Sequence, residues 1–180
     1  APTRRALPPA RQAPPSRDEP SAGLKRGARE MLVVLARFHP RSLTRDQVAT
    51  LAGLSPNSGT FSDYLGALRR ADLVEVRGAE LHITAAGRAK AGPQQAPQST
   101  PELVALWGSK LKAGARRMLD ALVAQHPRAL TRGELGTAAG IEPSSGTFSD
   151  YLGALRRNGL VVVERDAVRA GGALFLGAGR

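Results

Sequence analysis

The sequence predicts a mainly α-helical protein with small β-hairpins (an α+β fold), built from two copies of one domain. Residues 58–70 recur letter for letter at residues 145–157, an offset of 87 positions. The match runs without a gap over residues 24–76 and 111–163. Each copy shows helical spacing of apolar residues followed by a short alternating segment. A chain of 180 residues is long enough for two small cores, so the duplication predicts two domains.

Two proline-rich segments divide the chain. Residues 1–23 contain six prolines and four arginines and few large apolar side chains, so we expect a disordered linker there. A second linker at 92–100 separates domain 1, residues 24–91, from domain 2, residues 101–180. The chain starts at Ala1 without a methionine, which raises the hypothesis that it is a fragment or a processed product.

The net charge of +11 is spread over both predicted domains. Residues 24–91 carry 11 basic and 6 acidic side chains, and residues 101–180 carry 11 and 7. A basic surface attracts polyanions by long-range electrostatics and counterion release. Nucleic acid is the commonest such partner, and an anionic membrane is the second. A GC-rich genome, which favours Arg, Ala, Gly and Pro codons, is the alternative source of the charge.

The composition also excludes several classes of protein. The absence of cysteine excludes disulfides and thiolate metal sites. No apolar run approaches the ~20 residues that span a bilayer, and no signal peptide is visible, so we expect a cytoplasmic protein without membrane contact. No phosphate-binding glycine loop, dinucleotide fingerprint or nucleophile motif is present. The sequence therefore predicts no enzyme, no cofactor, no metal and no small-molecule substrate.

The first two helices of each copy have clear signals. Apolar spacing predicts helix one over residues 24–38, and a following His-Pro pair ends it. Helix two begins after Thr44, with Gln47 three residues later, and the second copy pairs Thr131 with Glu134. Both pairs fit a capping box, in which a hydroxyl and the third helical side chain satisfy backbone amides reciprocally.

Helix three follows a proline-containing turn, and Ser58 or Thr60 is expected to cap it. With Thr60 as the cap, Asp63 falls at the third helical position, again close to a capping box. Alternating residues then predict a hairpin with strands near 73–76 and 81–84, and a short last helix. The residues of helix three expected to face the core are Phe61, Leu65 and Leu68.

The second copy repeats this order, with strands predicted at 161–164 and 167–170. An extra helix at 102–106 leads into it, starting with proline at the first helical position. Trp107 in this connection is expected to anchor the two domains to each other, or else to bind a partner. Residues 174–176 are expected to pack on a core.

The order of helix, short strand, helix, turn, helix and hairpin resembles a winged helix-turn-helix domain, here in tandem. The resemblance rests on LTRDQVATLAGL followed by SPNSGTFSDYLGALRRADLVEV, and on LTRGELGTAAGI followed by EPSSGTFSDYLGALRRNGLVVV. It implies DNA binding, with helix three in the major groove and the hairpin wing on the backbone or minor groove. Winged helices also serve as protein-docking modules, because a fold does not fix a function.

The predicted DNA-binding residues lie in helix three and the wing, as the resemblance implies, and in the first turn of helix two. Hydroxyls and helix N-termini suit phosphate contacts, whereas base readout prefers Arg, Asn and Gln, which the start of helix three lacks. We therefore expect binding of double-stranded DNA that is dominated by the backbone, with modest sequence selectivity. The candidate residues are Arg45, Ser58, Thr60, Ser62, Arg69, Arg70 and Arg77, and in the second copy Arg132, Ser145, Thr147, Ser149, Arg156, Arg157 and Arg165.

Other residues of helix three have competing explanations. Gly66 costs about 0.5–1 kcal/mol relative to alanine inside a helix, so we expect a close approach there by DNA, by the wing or by a second helix. Asp63 and Asp150 are expected to be helix caps, because as bare carboxylates they repel phosphate. Tyr64 and Tyr151 are expected to be half-buried rather than stacked on bases.

The alternative function is a protein-docking or regulatory appendage of a larger DNA-processing machine. Asp63, Gly66 and Ala67, together with the lack of base-reading side chains, favour it. The proline-rich start fits a C-terminal piece of a longer polypeptide. Paired winged helices similar to these follow the motor of some bacterial HerA-type DNA-translocating ATPases, which makes such an ATPase a candidate parent.

Overall fold

The computed structural model describes residues 23–175. All of the predicted linker at 1–23 except Gly23 lies outside that range, as do the last residues, 176–180, and the expected packing of Leu176. The described part contains eight α-helices and two small antiparallel sheets of three strands each, which agrees with the predicted α+β class. Every element from the first helix to the hairpin recurs 87 residues later, so the sequence duplication is also a structural one.

Both copies build the same framework of three helices and a sheet. In each sheet the second hairpin strand is central, because it pairs with both the first hairpin strand and a short early strand. The elements of the first copy are α1 (Arg26–Phe38), β1 (Leu43–Thr44), α2 (Arg45–Ala52), α3 (Gly59–Arg70), β2 (Val74–Arg77), β3 (Glu80–Ile83) and α4 (Ala85–Ala91). A connecting helix, α5 (Thr100–Gly108), precedes α6 (Ala113–Gln125), β4 (Leu130–Thr131), α7 (Arg132–Ala139), α8 (Gly146–Arg157), β5 (Val161–Glu164), β6 (Ala167–Ala170) and a 3-10 turn (Gly172–Leu174).

The predicted caps of the second helices are confirmed. In α2 the Thr44 hydroxyl accepts from the Gln47 amide at 3.3 Å, and Gln47 Oε1 accepts from the Thr44 amide at 2.8 Å. Thr131 and Glu134 form the same reciprocal pair at the start of α7. These caps fix where α2 and α7 begin.

Ser58, and not Thr60, caps α3. Its hydroxyl accepts from the Phe61 amide at 3.1 Å, and its own backbone is extended. Since the helix begins at Gly59, Thr60 already lies within the first turn and Asp63 lies beyond it. The expected capping role of Asp63 and Asp150 is therefore wrong. In α8 the cap is likewise the serine, Ser145.

Two other helix starts differ from their predicted positions. Helix α1 begins at Arg26, two residues late, because Lys25 has a non-helical backbone (φ −55°, ψ 149°). Helix α5 extends over Thr100–Gly108 with Ser99 as its cap, so Pro101 is the second helical residue rather than the first. Proline is tolerated at both positions because neither amide has a partner within the helix.

A glycine on the first helix of each copy makes room for a tyrosine of the third. A Cβ atom placed on Gly27 would lie 2.0 Å from the Tyr64 ring, and one on Gly114 would lie 2.1 Å from Tyr151. Both tyrosines are half-buried, as expected. This contact brings α3 close to α1 and leaves the opposite face of α3 directed outward.

The two copies contact each other around α5 and at the end of α8. Trp107 is 1% exposed, and its ring meets Phe38 of the first copy edge-on, with 6.4 Å between centroids. This agrees with the expected anchoring role of Trp107. Gln47 Nε2 also donates to the Asn158 carbonyl at 2.9 Å, and Asn158 is 4% exposed. The side chain of Leu174, at the 3-10 turn, is buried as predicted.

Candidate nucleic-acid interface

The third helix of each copy has one buried face and one exposed face. In α3 the side chains of Phe61, Leu65 and Leu68 are buried in the core. Ser62, Asp63, Arg69 and Arg70 are exposed on the other side. Helix α8 presents the identical sequence with the same burial pattern. The structure therefore displays one surface twice, and we call the exposed side of α3 and α8 the outer face.

The hydroxyls at the start of each outer face differ in their availability. Ser58 is half-buried, and its hydroxyl donates to the Ser55 carbonyl at 2.8 Å while accepting from the helix. Ser145 does the same with the Glu142 carbonyl at 2.7 Å. Both serines therefore stabilise the helix start and hold its orientation. The side chains of Thr60, Thr147, Ser62 and Ser149 are exposed, although the Ser62 hydroxyl is already used within the molecule, since it donates to the Ser58 carbonyl at 3.4 Å.

Arg45 connects α2 to the start of α3. Its Nε atom donates to the Pro56 carbonyl at 2.8 Å, its Nη2 atom donates to the Ser62 hydroxyl at 2.7 Å, and its guanidinium stacks 4.6 Å from the centre of the Phe61 ring. Arg132 repeats the stacking on Phe148 at 4.9 Å, and its Nη2 atom donates to the Pro143 carbonyl at 3.4 Å. Part of the hydrogen-bonding capacity of both arginines is thus used within the molecule. They position the third helix as well as adding positive charge beside it.

Four arginines at the ends of α3 and α8 carry the exposed charge of the outer faces. Within residues 23–175, the guanidinium groups of Arg69, Arg70, Arg156 and Arg157 make no hydrogen bond or ion pair. Cations in the last turn also suit the negative end of the helix dipole. These groups are therefore free to bind an anion without first breaking an internal contact.

The two hairpins differ in charge, and Arg165 is not the counterpart of Arg77. Arg77 lies at the end of β2 and pairs with Glu75 at 2.7 Å. Arg165 lies in the hairpin turn with φ 56°, the place that Gly78 takes in the first hairpin with φ 61°. The counterpart of Arg77 is Glu164. The first hairpin thus has a partly neutralised arginine on its strand, and the second has an exposed arginine in its turn.

An exposed carboxylate lies in the middle of each outer face. Asp63 and Asp150 form no cap, hydrogen bond or ion pair within residues 23–175. Each outer face therefore combines one acidic residue with two arginines at the end of the helix. This arrangement attracts a polyanion toward the arginine end and weakens its attraction near the aspartate.

Gly66 and Gly153 face a space that no other helix or strand of residues 23–175 fills. A Cβ atom on Gly66 would meet only the Arg70 guanidinium at 3.2 Å, and one on Gly153 would meet only Arg157 at 3.3 Å. Among the described residues, neither the hairpin nor a second helix approaches either glycine, so those two expected explanations are wrong. A cavity of 460 Å³ opens beside Gly66, and its lining includes Lys25 and Arg70.

Sequence reasoning missed Lys25 as part of this surface. Lys25 immediately precedes α1 and lines the cavity beside Gly66. A signal was present, because Lys25 recurs as Lys112 in the gapless match. Sequence alone gave no reason to connect a residue before helix one with the outer face of helix three, since only the packing of α1 on α3 brings them together.

No protein-family model matches the chain, and a search among curated proteins finds no match. Over residues 23–175, no helix has the length and apolarity needed to cross a membrane. The same part of the chain holds no cluster of three or more His, Asp or Glu side chains arranged to bind a metal ion.

Proposed function

We propose that the chain is a tandem winged helix-turn-helix module that binds double-stranded DNA, with the outer faces of α3 and α8 engaging one duplex. The observation that carries the proposal is the pair of identical, exposed outer faces, each with two unpaired arginines. The net charge of +11 supports a polyanionic partner. The proposed setting is the cytoplasm of a bacterium.

The side chains favour phosphate contacts over base readout. Arginine guanidinium groups and exposed hydroxyls bind phosphate oxygens, which position a protein on DNA without reading its sequence. The outer faces lack Asn and Gln, the side chains that read adenine, and their arginines lie only at the helix end. The proposed binding is therefore backbone-dominated, with a steep dependence on salt and modest selectivity.

Two copies strengthen a weak interaction. Once one outer face is bound, the second experiences a high effective concentration of the same duplex, provided that the geometry lets both reach it. The contacts of Trp107 and Gln47 between the copies restrict their relative orientation. Duplication thus offers a route to useful affinity without base-specific contacts.

Duplex affinity at two salt concentrations tests the proposal. We expect the wild-type chain to bind a random-sequence duplex with a steep salt slope. Arg69→Ala combined with Arg156→Ala should reduce both affinity and slope, because about two phosphate contacts are lost. A matched control is Lys90→Ala with Lys110→Ala, which removes two exposed charges outside the outer faces. A weak salt response, or an equal loss in the control, would contradict the proposal.

Protein docking is the second candidate, and the exposed Asp63 and Asp150 favour it. A carboxylate in the middle of each outer face suits a basic protein partner better than a phosphate backbone. In that case the chain would be a regulatory appendage, with a HerA-type ATPase as one candidate parent. A pull-down after nuclease treatment that yields a stoichiometric protein partner would support docking. The complete reading frame would show whether an ATPase precedes the module.

A further inference from the structure

Some of the ten glycines inside the described α-helices have a reason that lies within the molecule. A Cβ atom at four of them would come within 2.0–2.4 Å of another residue, so no larger side chain fits without movement. The neighbours are tyrosine rings, a proline ring and a backbone carbonyl, all held in place by the fold. The four glycines are Gly27, Gly87, Gly114 and Gly136.

Among residues 23–175, Gly66 and Gly153 have no such contact. The nearest atom to a Cβ at either position is the guanidinium of the arginine four residues later, the far end of a flexible side chain. Neither glycine has the positive φ that would require it. A glycine in mid-helix costs stability relative to alanine, yet both copies have one here. Nothing within residues 23–175 therefore accounts for glycine at either position.

The surroundings identify the chemistry of the outside contact. The Arg70 guanidinium lies over Gly66 and the Arg157 guanidinium lies over Gly153, at 3.2 and 3.3 Å from the respective Cβ positions. Lys25 adds a second cation beside Gly66, against one carboxylate, Asp63. A planar guanidinium presents paired donors that match two oxygens of a phosphate. The charge balance at this place favours an anionic partner over a basic or apolar protein surface.

We propose that Gly66 and Gly153 mark the points where the sugar-phosphate backbone of DNA lies closest to α3 and α8, with the guanidinium groups of Arg70 and Arg157 binding the phosphates there. The glycines are positioning residues, because the absence of a Cβ leaves room for each guanidinium beside the helix at this point. This inference rests on the proposed function and gives it a location.

The test replaces both glycines in the full chain. Gly66→Ala with Gly153→Ala should raise the thermal midpoint by a few degrees, because alanine is the better helix former. The same change should weaken binding to a random-sequence duplex by about tenfold, roughly the effect of losing one to two phosphate contacts. Gly66→Leu with Gly153→Leu should weaken binding further. Stability and affinity therefore move in opposite directions.

A matched control separates a local effect from a general one. Gly133→Ala makes the same chemical change in the first turn of α7, where a Cβ reaches nothing closer than 4.0 Å and the first copy has Asp46 in place of glycine. It should raise the midpoint and leave duplex affinity unchanged. Unaltered affinity in the Gly66 and Gly153 variants would overturn the inference while leaving the proposed function standing. A lowered midpoint would also overturn it, since it would reveal an internal role. No duplex binding by the wild-type chain would overturn both.

Discussion

The third residue of the second helix, which completes the capping box, is neutral in the first copy and charged in the second. Gln47 in α2 and Glu134 in α7 accept from the threonine amide at the same distance, 2.8 Å. Only the glutamine has a donor left over, which it gives to the Asn158 carbonyl of the other copy. Glu134 instead accepts from Arg128 at 2.6 Å. One residue type thus serves the contact between copies, and the other makes its cap sensitive to pH.

The pKa of Glu134 lies below its usual value, chiefly because the Thr131 amide donates to the carboxylate, with further lowering by the Thr131 hydroxyl and the Arg128 guanidinium. Because the pKa of Glu134 is lower in the folded state than in the unfolded state, its carboxylate stabilises the fold fully at pH values above the unfolded-state pKa. That stabilisation is lost as the pH falls through the folded-state pKa. We expect the Thr131 amide NMR signal to titrate in that acidic range.

The first copy provides the control for this titration. The Thr44 amide does not donate to a carboxylate, because its partner is the side-chain amide oxygen of Gln47. Its signal should therefore not follow the same transition. Glu134→Gln should abolish the transition at Thr131 while keeping the cap. Persistence of the transition in that variant would show that another group is responsible.

Two substitutions at the start of α3 test whether Ser58 is its N-terminal cap. Ser58→Ala removes the hydroxyl that accepts from the Phe61 amide, and should lower the free energy of unfolding by about 0.5–2 kcal/mol. Thr60→Ala is the matched control, since Thr60 is exposed inside the first turn and alanine is a good helix former. Chemical denaturation measures both. An equal or larger loss for Thr60→Ala would place the cap at Thr60.

Local signals in the sequence predicted the elements well, and tertiary contacts explain what was missed. The capping boxes and hairpins were predictable because a few neighbouring residues determine them. The choice between Ser58 and Thr60 as the cap was not predictable, because both offer a hydroxyl at the start of the helix. The hydrogen bond from Ser58 to the Ser55 carbonyl forms only in the folded turn. The sequence alone could have shown that Arg165 does not correspond to Arg77, because the repeat offset of 87 residues aligns Arg165 with Gly78.

The candidate site was predictable in its position but not in its details. The buried spacing of Phe61, Leu65 and Leu68 already assigned the other side of helix three to solvent. The stacking of Arg45 on Phe61 and the place of Lys25 beside Gly66 both require the packing of one helix on another. Sequence periodicity describes single elements, so it carries no information about which residues of different elements meet.

The molecule as a whole depends on how the two copies are joined, and Trp107 is the largest side chain at that contact. It is buried between Phe38 of the first copy and the helices of the second. Trp107→Ala should lower the free energy of unfolding by about 3–5 kcal/mol, because a large cavity remains where the ring was. Thermal unfolding followed by circular dichroism should change from one transition to two, as each copy then unfolds separately.

Trp107→Ala also tests whether the contact between the two copies contributes to the proposed DNA binding. If both outer faces must reach one duplex, freeing the copies from each other lowers the effective concentration of the second face. Duplex affinity should then fall toward that of a chain with one functional outer face, such as the Arg156→Ala, Arg157→Ala variant. Leu106→Ala, a smaller change at a partly buried position of α5, is the control and should leave both measurements nearly unchanged. A Trp107→Ala chain that still unfolds in one transition, with wild-type affinity, would show that the copies act together by other means than this contact.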